Sequence, residues 1–160
     1  MSTLLKRARE TLKIEIAGLE DLSKRLDNKF EQAVNLLYDC QGKVILAGMG
    51  KSGLIAQKIA ATLTSTGTPS LFLHAGESSH GDLGIISRKD AIITFSYSGE
   101  TAEVLQMIGH VTAMGIPMIA ITGNSSSTLA KASTIHLSVS VKKEACPLGL
   151  APTASSTATL

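Results

Sequence analysis

The sequence has 160 residues, 44% hydrophobic and only 3% aromatic, which fits one domain with a core built from Ala, Val, Ile and Leu. A formal net charge of +2, with no Lys/Arg cluster interleaved with aromatics, argues against nucleic acid as a partner. No apolar run approaches the ~20 residues of a membrane span, no signal-peptide core opens the chain, and Cys40 and Cys146 give neither a disulfide framework nor a metal-ligand spacing. The expected setting is a reducing cytoplasm.

Leu4, Leu5, Ala8, Leu12, Ile14, Ile16, Leu19 and Leu22 recur at near-helical spacing, and Leu26, Phe30, Ala33, Val34 and Leu37 extend the series. Residues 1–39 therefore read as a helical arm in two segments, with Gly18 as a candidate bend, ahead of a domain over 40–160. Coverage of the chain's own core and packing on a partner subunit both explain so long a stripe. Lys43-Val44-Ile45-Leu46-Ala47 is the first strand, followed by Gly48-Met49-Gly50-Lys51-Ser52-Gly53 and a helix over 54–65. The glycine spacing and its strand–helix context match a dinucleotide fingerprint, but no acid ends the second strand, Ser70-Leu71-Phe72-Leu73. The Walker A spacing is also missing. What survives is a glycine turn open to a ligand, with Lys51 as a cation at its mouth.

His74, Glu77, His80 and Asp82 cluster after that second strand. None of their spacings is a firm metal pattern, and polar residues around a short helix explain them as well. The third strand, over 91–95, empties into Ser96-Tyr97-Ser98-Gly99-Glu100-Thr101, and a helical pattern starts at Ala102. Unpaired N–H groups at such a helix start, with the positive end of its dipole, suit a phosphate. Ser96, Ser98 and Thr101 add hydroxyls, and Glu103 brings a carboxylate one turn in. An ordinary capped helix is the competing reading.

Strands over 118–122 and 134–139 enclose a short helix at 129–132. His136 sits in the alternating strand pattern and reads as structural; His110, on a helix, reads as surface. Five strands separated by helices predict an α/β doubly wound five-stranded parallel sheet, flavodoxin-like or Rossmann-like, with ligands at the strands' carboxyl ends. Glu144 lies on the loop after the last strand, at that same edge; taken alone it is an exposed charge. Cys146, before Pro147, reads as a small packed residue. A helical pattern opens at residue 154 and the sequence stops at Leu160, so a fragment of a longer protein is expected.

Three strings together resemble one family: 48–53, 96–103, and Lys143-Glu144-Ala145-Cys146-Pro147-Leu148-Gly149-Leu150-Ala151-Pro152-Thr153. Ser65-Thr66-Gly67-Thr68-Pro69 and His80-Gly81-Asp82-Leu83-Gly84 agree with it. The chain is similar to the sugar isomerase (SIS) domain of the arabinose-5-phosphate isomerases. The resemblance implies interconversion of D-ribulose 5-phosphate and D-arabinose 5-phosphate through a cis-enediol, feeding synthesis of Kdo for lipopolysaccharide. It implies that Lys51, Glu103 and Glu144 are critical for activity. Gly50, Ser52, Gly67, Thr68, His80, Ser96, Ser98, Gly99 and Thr101 would contact the sugar phosphate. No cofactor is required in that reading, zinc can bind at His74, and the protein is a homotetramer with sites shared between subunits. Family members continue into a further helix, a histidine-bearing segment and CBS domains, so the resemblance puts turnover by this piece alone in question. A non-catalytic sugar-phosphate-sensing SIS module and a sibling phosphosugar isomerase are the alternatives.

Overall fold

The computed structural model describes residues 2–78 and 81–160. Five parallel strands form one sheet in the order β2-β1-β3-β4-β5: β1 (Val44–Gly48), β2 (Ser70–His74), β3 (Ala91–Phe95), β4 (Met118–Thr122) and β5 (Ile135–Ser138). Every residue of β1 and β3 is buried, as expected for central strands covered on both faces. Six helices flank the sheet among the described residues: α1 (Thr3–Arg25), α2 (Asn28–Tyr38), α3 (Gly50–Ser65), α4 (Ala102–Ala113), α5 (Thr128–Ala132) and α6 (Ala154–Thr159). A 3-10 turn, Asp82–Ile85, stands where a short helix is expected after β2.

Strand alternation divides the core into two layers. Ile45, Ala47, Ile92, Met118 and Ala120 face Val104, Met107, Ile108 and Val111 of α4. Val44, Leu46, Ile93, Phe95 and Ile119 face Ala33 of α2 and Ala56 and Ala60 of α3. Small residues on α3 let it lie close to the sheet. A Cβ on Gly48 would meet Gly53 N at 3.1 Å and Phe95 O at 3.2 Å, so strand–helix contact accounts for two of the fingerprint's glycines.

The arm folds as two helices, capped by Ser2, which accepts from Leu5 N, and by Asp27, which accepts from Lys29 N. Gly18 does not bend α1, which runs unbroken through it. It is buried, and a Cβ there would touch Val141 Cγ1 at 3.4 Å and Ala154 Cβ at 3.7 Å, so the glycine serves close packing. Helix α1 packs along α6, and α2 against β5. Core coverage uses only one face of the arm. Leu5, Leu12, Ile16, Leu19, Leu26, Phe30 and Val34 remain 42–59% exposed. Among the described residues no helix is long and apolar enough to cross a membrane.

At the amino edge of the sheet, Asp90 is 2% exposed and ties β1 to β3. Its carboxylate accepts from Lys43 N at 3.0 Å, Lys43 Nζ at 2.8 Å and Ser87 N at 2.8 Å. Burial pushes this carboxyl up, but the hydrogen bonds from Lys43 and Ser87 outweigh it and hold the group below its ordinary value of 3.8. Its contribution to stability is therefore complete above pH 3.8 and is lost as the pH falls through the folded-state value. Asp90→Ala leaves Lys43 unpaired and is expected to cost about 3 kcal/mol in urea unfolding at neutral pH, with the difference from wild type shrinking in acid. Equal stability of the two proteins at pH 7 would refute this role for Asp90.

Candidate functional site

The chain winds outward in both directions from β1 and β3, so the two loops at their carboxyl ends part and leave a crevice. Gly48 pairs with Phe95 in register, which sets the β1–α3 turn beside the β3–α4 turn. In the second turn, Ser96 is 3% exposed and its Oγ lies 2.8 Å from Thr101 Oγ1 while accepting from Gly99 N at 3.1 Å. Ser98 Oγ accepts from Glu100 N at 3.2 Å. Thr101 is the N-cap of α4 but makes no capping hydrogen bond with its side chain. The helix start therefore keeps N–H donors uncapped by a side chain, ringed by the three hydroxyls the sequence singled out.

This turn is strapped to α5. Glu100 Oε1 accepts from Thr128 N at 2.7 Å, and Gly99 O accepts from Leu129 N at 3.1 Å. The Thr128 amide and hydroxyl hold the Glu100 carboxyl below its ordinary range. Gly99 has φ +69° and packs so closely on Ser127 that a Cβ would collide with Ser127 Oγ. Glu103 is half-buried in the first turn of α4.

The first turn delivers Gly50, at φ +56°, with Lys51 and Ser52 on the opening turn of α3. Lys51 and Ser52 line a cavity of about 340 Å³ together with Tyr97, Glu144 and Ser155. Tyr97 is a residue to which sequence reasoning gives no role. Its hydroxyl accepts from Val141 N at 3.1 Å and its carbonyl from Gly123 N at 2.8 Å, so it braces three loops at one edge. Its one signal in the sequence is its place between two serines of the turn.

Glu144 reaches this cavity from the loop after β5, half-buried rather than the exposed charge its sequence context alone would give. Its Oε2 accepts from Thr153 N and Thr153 Oγ1, each at 2.7 Å, and from Ser155 N at 3.3 Å, at the start of α6. Burial pushes the carboxyl up; hydrogen bonds from Ser155 and Thr153 outweigh it and hold Glu144 below the ordinary glutamate value.

Other expected residues fall elsewhere. Gly67 and Thr68 precede β2, where Thr68 N donates to Leu63 O at 2.9 Å. They lie at the amino edge of the sheet, opposite the crevice, so one chain does not bring them to Lys51 and Glu144. His80 lies outside the described residues. His74 ends β2, edge-on to Phe72, and its buried Nδ1 has no hydrogen-bond partner among the described residues. That orphaned nitrogen favours a ligand there. Yet no group of three or more His, Cys, Asp or Glu side chains that could hold a metal occurs among the described residues.

The fold and this two-turn crevice at the carboxyl ends of β1 and β3 define an α/β domain class, and residues 36–160 match the SIS domain family. The chain belongs to the SIS domain family. Arabinose 5-phosphate isomerase KdsD of Salmonella typhi is 49% identical over 152 residues, covering 95% of this chain and 46% of that protein. KdsD of Pseudomonas aeruginosa is 47% identical over 153 residues, covering 96% of this chain and 47% of its own length. The chain thus spans about half the length of the curated relatives it matches. The structure of Escherichia coli CFT073 c3406 in complex with arabinose 5-phosphate is similar at a TM-score of 0.94 and 41% identity, covering 100% of this chain and 86% of that one.

Gly99→Ala forces a positive-φ alanine against Ser127 and is expected to cost at least about 2 kcal/mol in chemical unfolding. A variant with wild-type stability would show that the turn does not need this geometry.

Proposed function

We propose that the protein carrying this chain is an arabinose-5-phosphate isomerase that interconverts D-ribulose 5-phosphate and D-arabinose 5-phosphate. One observation carries the reading: a hydroxyl-ringed helix start at the end of β3 sits beside a cavity that joins Lys51 to Glu144. In this reading Ser96, Ser98, Gly99 and Thr101 hold the phosphate at the start of α4. Gripping that end fixes C1 and C2 of the sugar against the acid and base groups, so a bimolecular proton transfer becomes intramolecular.

The reaction moves two hydrogens and changes no overall oxidation state. A carboxylate removes the proton from the carbon beside the carbonyl, the oxygens exchange a proton in a cis-enediol, and a proton returns to the neighbouring carbon. Glu144 and Glu103 are the carboxylates offered for this, and the hydrogen bonds on Glu144 favour its ionised form. Lys51 stabilises the developing oxyanion. The steps need no redox cofactor. Service to Kdo and lipopolysaccharide synthesis and a cytoplasmic location follow from the same assignment.

A homotetramer completes the proposal. The exposed stripe on α1 and α2 fits burial against further copies. Gly67 and Thr68, far from the crevice within one chain, would reach substrate across such an interface. Replacing Leu12 and Ile16 together by Glu is expected to reduce the assembly state read by light scattering; an unchanged mass would remove the arm from the interface.

The activity is tested by incubating the full-length protein with D-arabinose 5-phosphate and following D-ribulose 5-phosphate. Turnover is expected, with Glu144→Gln and Lys51→Ala each losing about 10²-fold or more in kcat. No turnover across pentose and hexose phosphates, with binding retained, would instead favour a sensing module.

A further inference from the structure

Resting on the isomerase reading, the use of Glu144 as a base depends on how its side chain is held. The loop that carries it, residues 139–153, has no helix or strand of its own. A free glutamate there would sample many rotamers, and partial burial would favour its neutral form.

Three hydrogen bonds oppose both tendencies, and all three end on one carboxylate oxygen, Oε2. The other oxygen takes none of them. Thr153 supplies two of the three. Its hydroxyl also accepts from Ala145 N at 2.7 Å, which occupies a lone pair and directs the hydroxyl proton onto Glu144. Thr153 thus closes a ring over residues 144, 145 and 153 that pins the loop at both ends. Glu144 lines the Lys51 cavity, whereas Thr153 does not. We propose that Thr153 is a positioning residue that aims Glu144 into the Lys51 cavity and keeps it ionised, fitting Glu144 to accept a proton rather than donate one.

The charged and titratable groups around Glu144 are Lys51 and Tyr97 in that cavity, and Arg7, Glu10, Lys143 and Cys146 in a second cavity on its other side. The Thr153 hydroxyl can be removed without changing any of these charges. With it gone, the carboxyl titrates at higher pH. Because the working form is the carboxylate, the acid limb of the rate profile moves toward higher pH with it.

The test compares wild type, Thr153→Val, Thr153→Ser and Glu144→Gln in the full-length protein. Each is read by its kcat/KM pH profile on D-arabinose 5-phosphate, and those that keep Glu144 also by a carboxyl-carbon NMR titration of that residue. Thr153→Val is expected to lose roughly 10- to 100-fold in kcat with KM little changed, and its acid limb moves up. Thr153→Ser restores the rate and the profile. Combining Glu144→Gln with Thr153→Val adds no further loss. An unmoved acid limb in Thr153→Val, failure of Thr153→Ser to restore it, or fully additive losses would each overturn the proposal. If Thr153→Val does not fold, Thr153→Ala carries the same readouts. If wild type turns over no sugar phosphate, the isomerase reading falls. The NMR titration still decides whether Thr153 holds Glu144 ionised: a higher carboxyl titration in Thr153→Val upholds that role and an identical one refutes it.

Discussion

The register between β1 and β3, with Gly48 opposite Phe95, is the constraint on which the site depends. Parallel pairing brings two carboxyl ends to the same level, and the reversal of winding between them keeps their following loops apart. Lys51 arrives three residues after Gly48, and Ser96 one residue after Phe95. Because side chains alternate along a strand, a one-residue slip would send the buried set of β3 to the wrong layer. The core that fixes the register therefore also sets the turn that carries Lys51 beside the turn that carries the hydroxyls.

Carboxylates from loops finish helices elsewhere in the chain. Glu100 accepts from Thr128 N at the start of α5, and Glu144 accepts from Thr153 and Ser155 at the start of α6. In each case the acid sits beside a turn that shapes the crevice, and it takes up N–H donors that the first turn of a helix cannot pair internally. The loops at the crevice are thereby held by the starts of α5 and α6.

Much of the fold was legible because its strands are short apolar runs bounded by glycine, proline and hydroxyl residues. The runs at 91–95 and 118–122 agree with β3 and β4 end to end. The hydroxyl turn was legible for the same reason, since its residues are consecutive. What local pattern could not give was anything set by contacts between distant segments. Gly18 looked like a bend because the residues it packs against, Val141 and Ala154, are far along the chain. Glu144 looked like a loop charge because its partners follow 9 and 11 positions later. Gly67 and Thr68, drawn from the family resemblance, fall at the opposite edge of the sheet, which a strand's direction decides and a motif's composition does not.

Helix α1 meets the far end of the chain along one stripe. Gly18 nestles against Val141 and Ala154, Asp21 pairs with Lys142 at 2.6 Å, and Arg25 donates to Ser140 O at 2.7 Å. Positions 18, 21 and 25 share a helix face, and every contact lands just before Glu144 or at the foot of α6. The amino-terminal helix is accordingly a splint for a stretch of chain that cannot stiffen itself. Its outer face is apolar and exposed, while its inner face grips the segment bearing the acid.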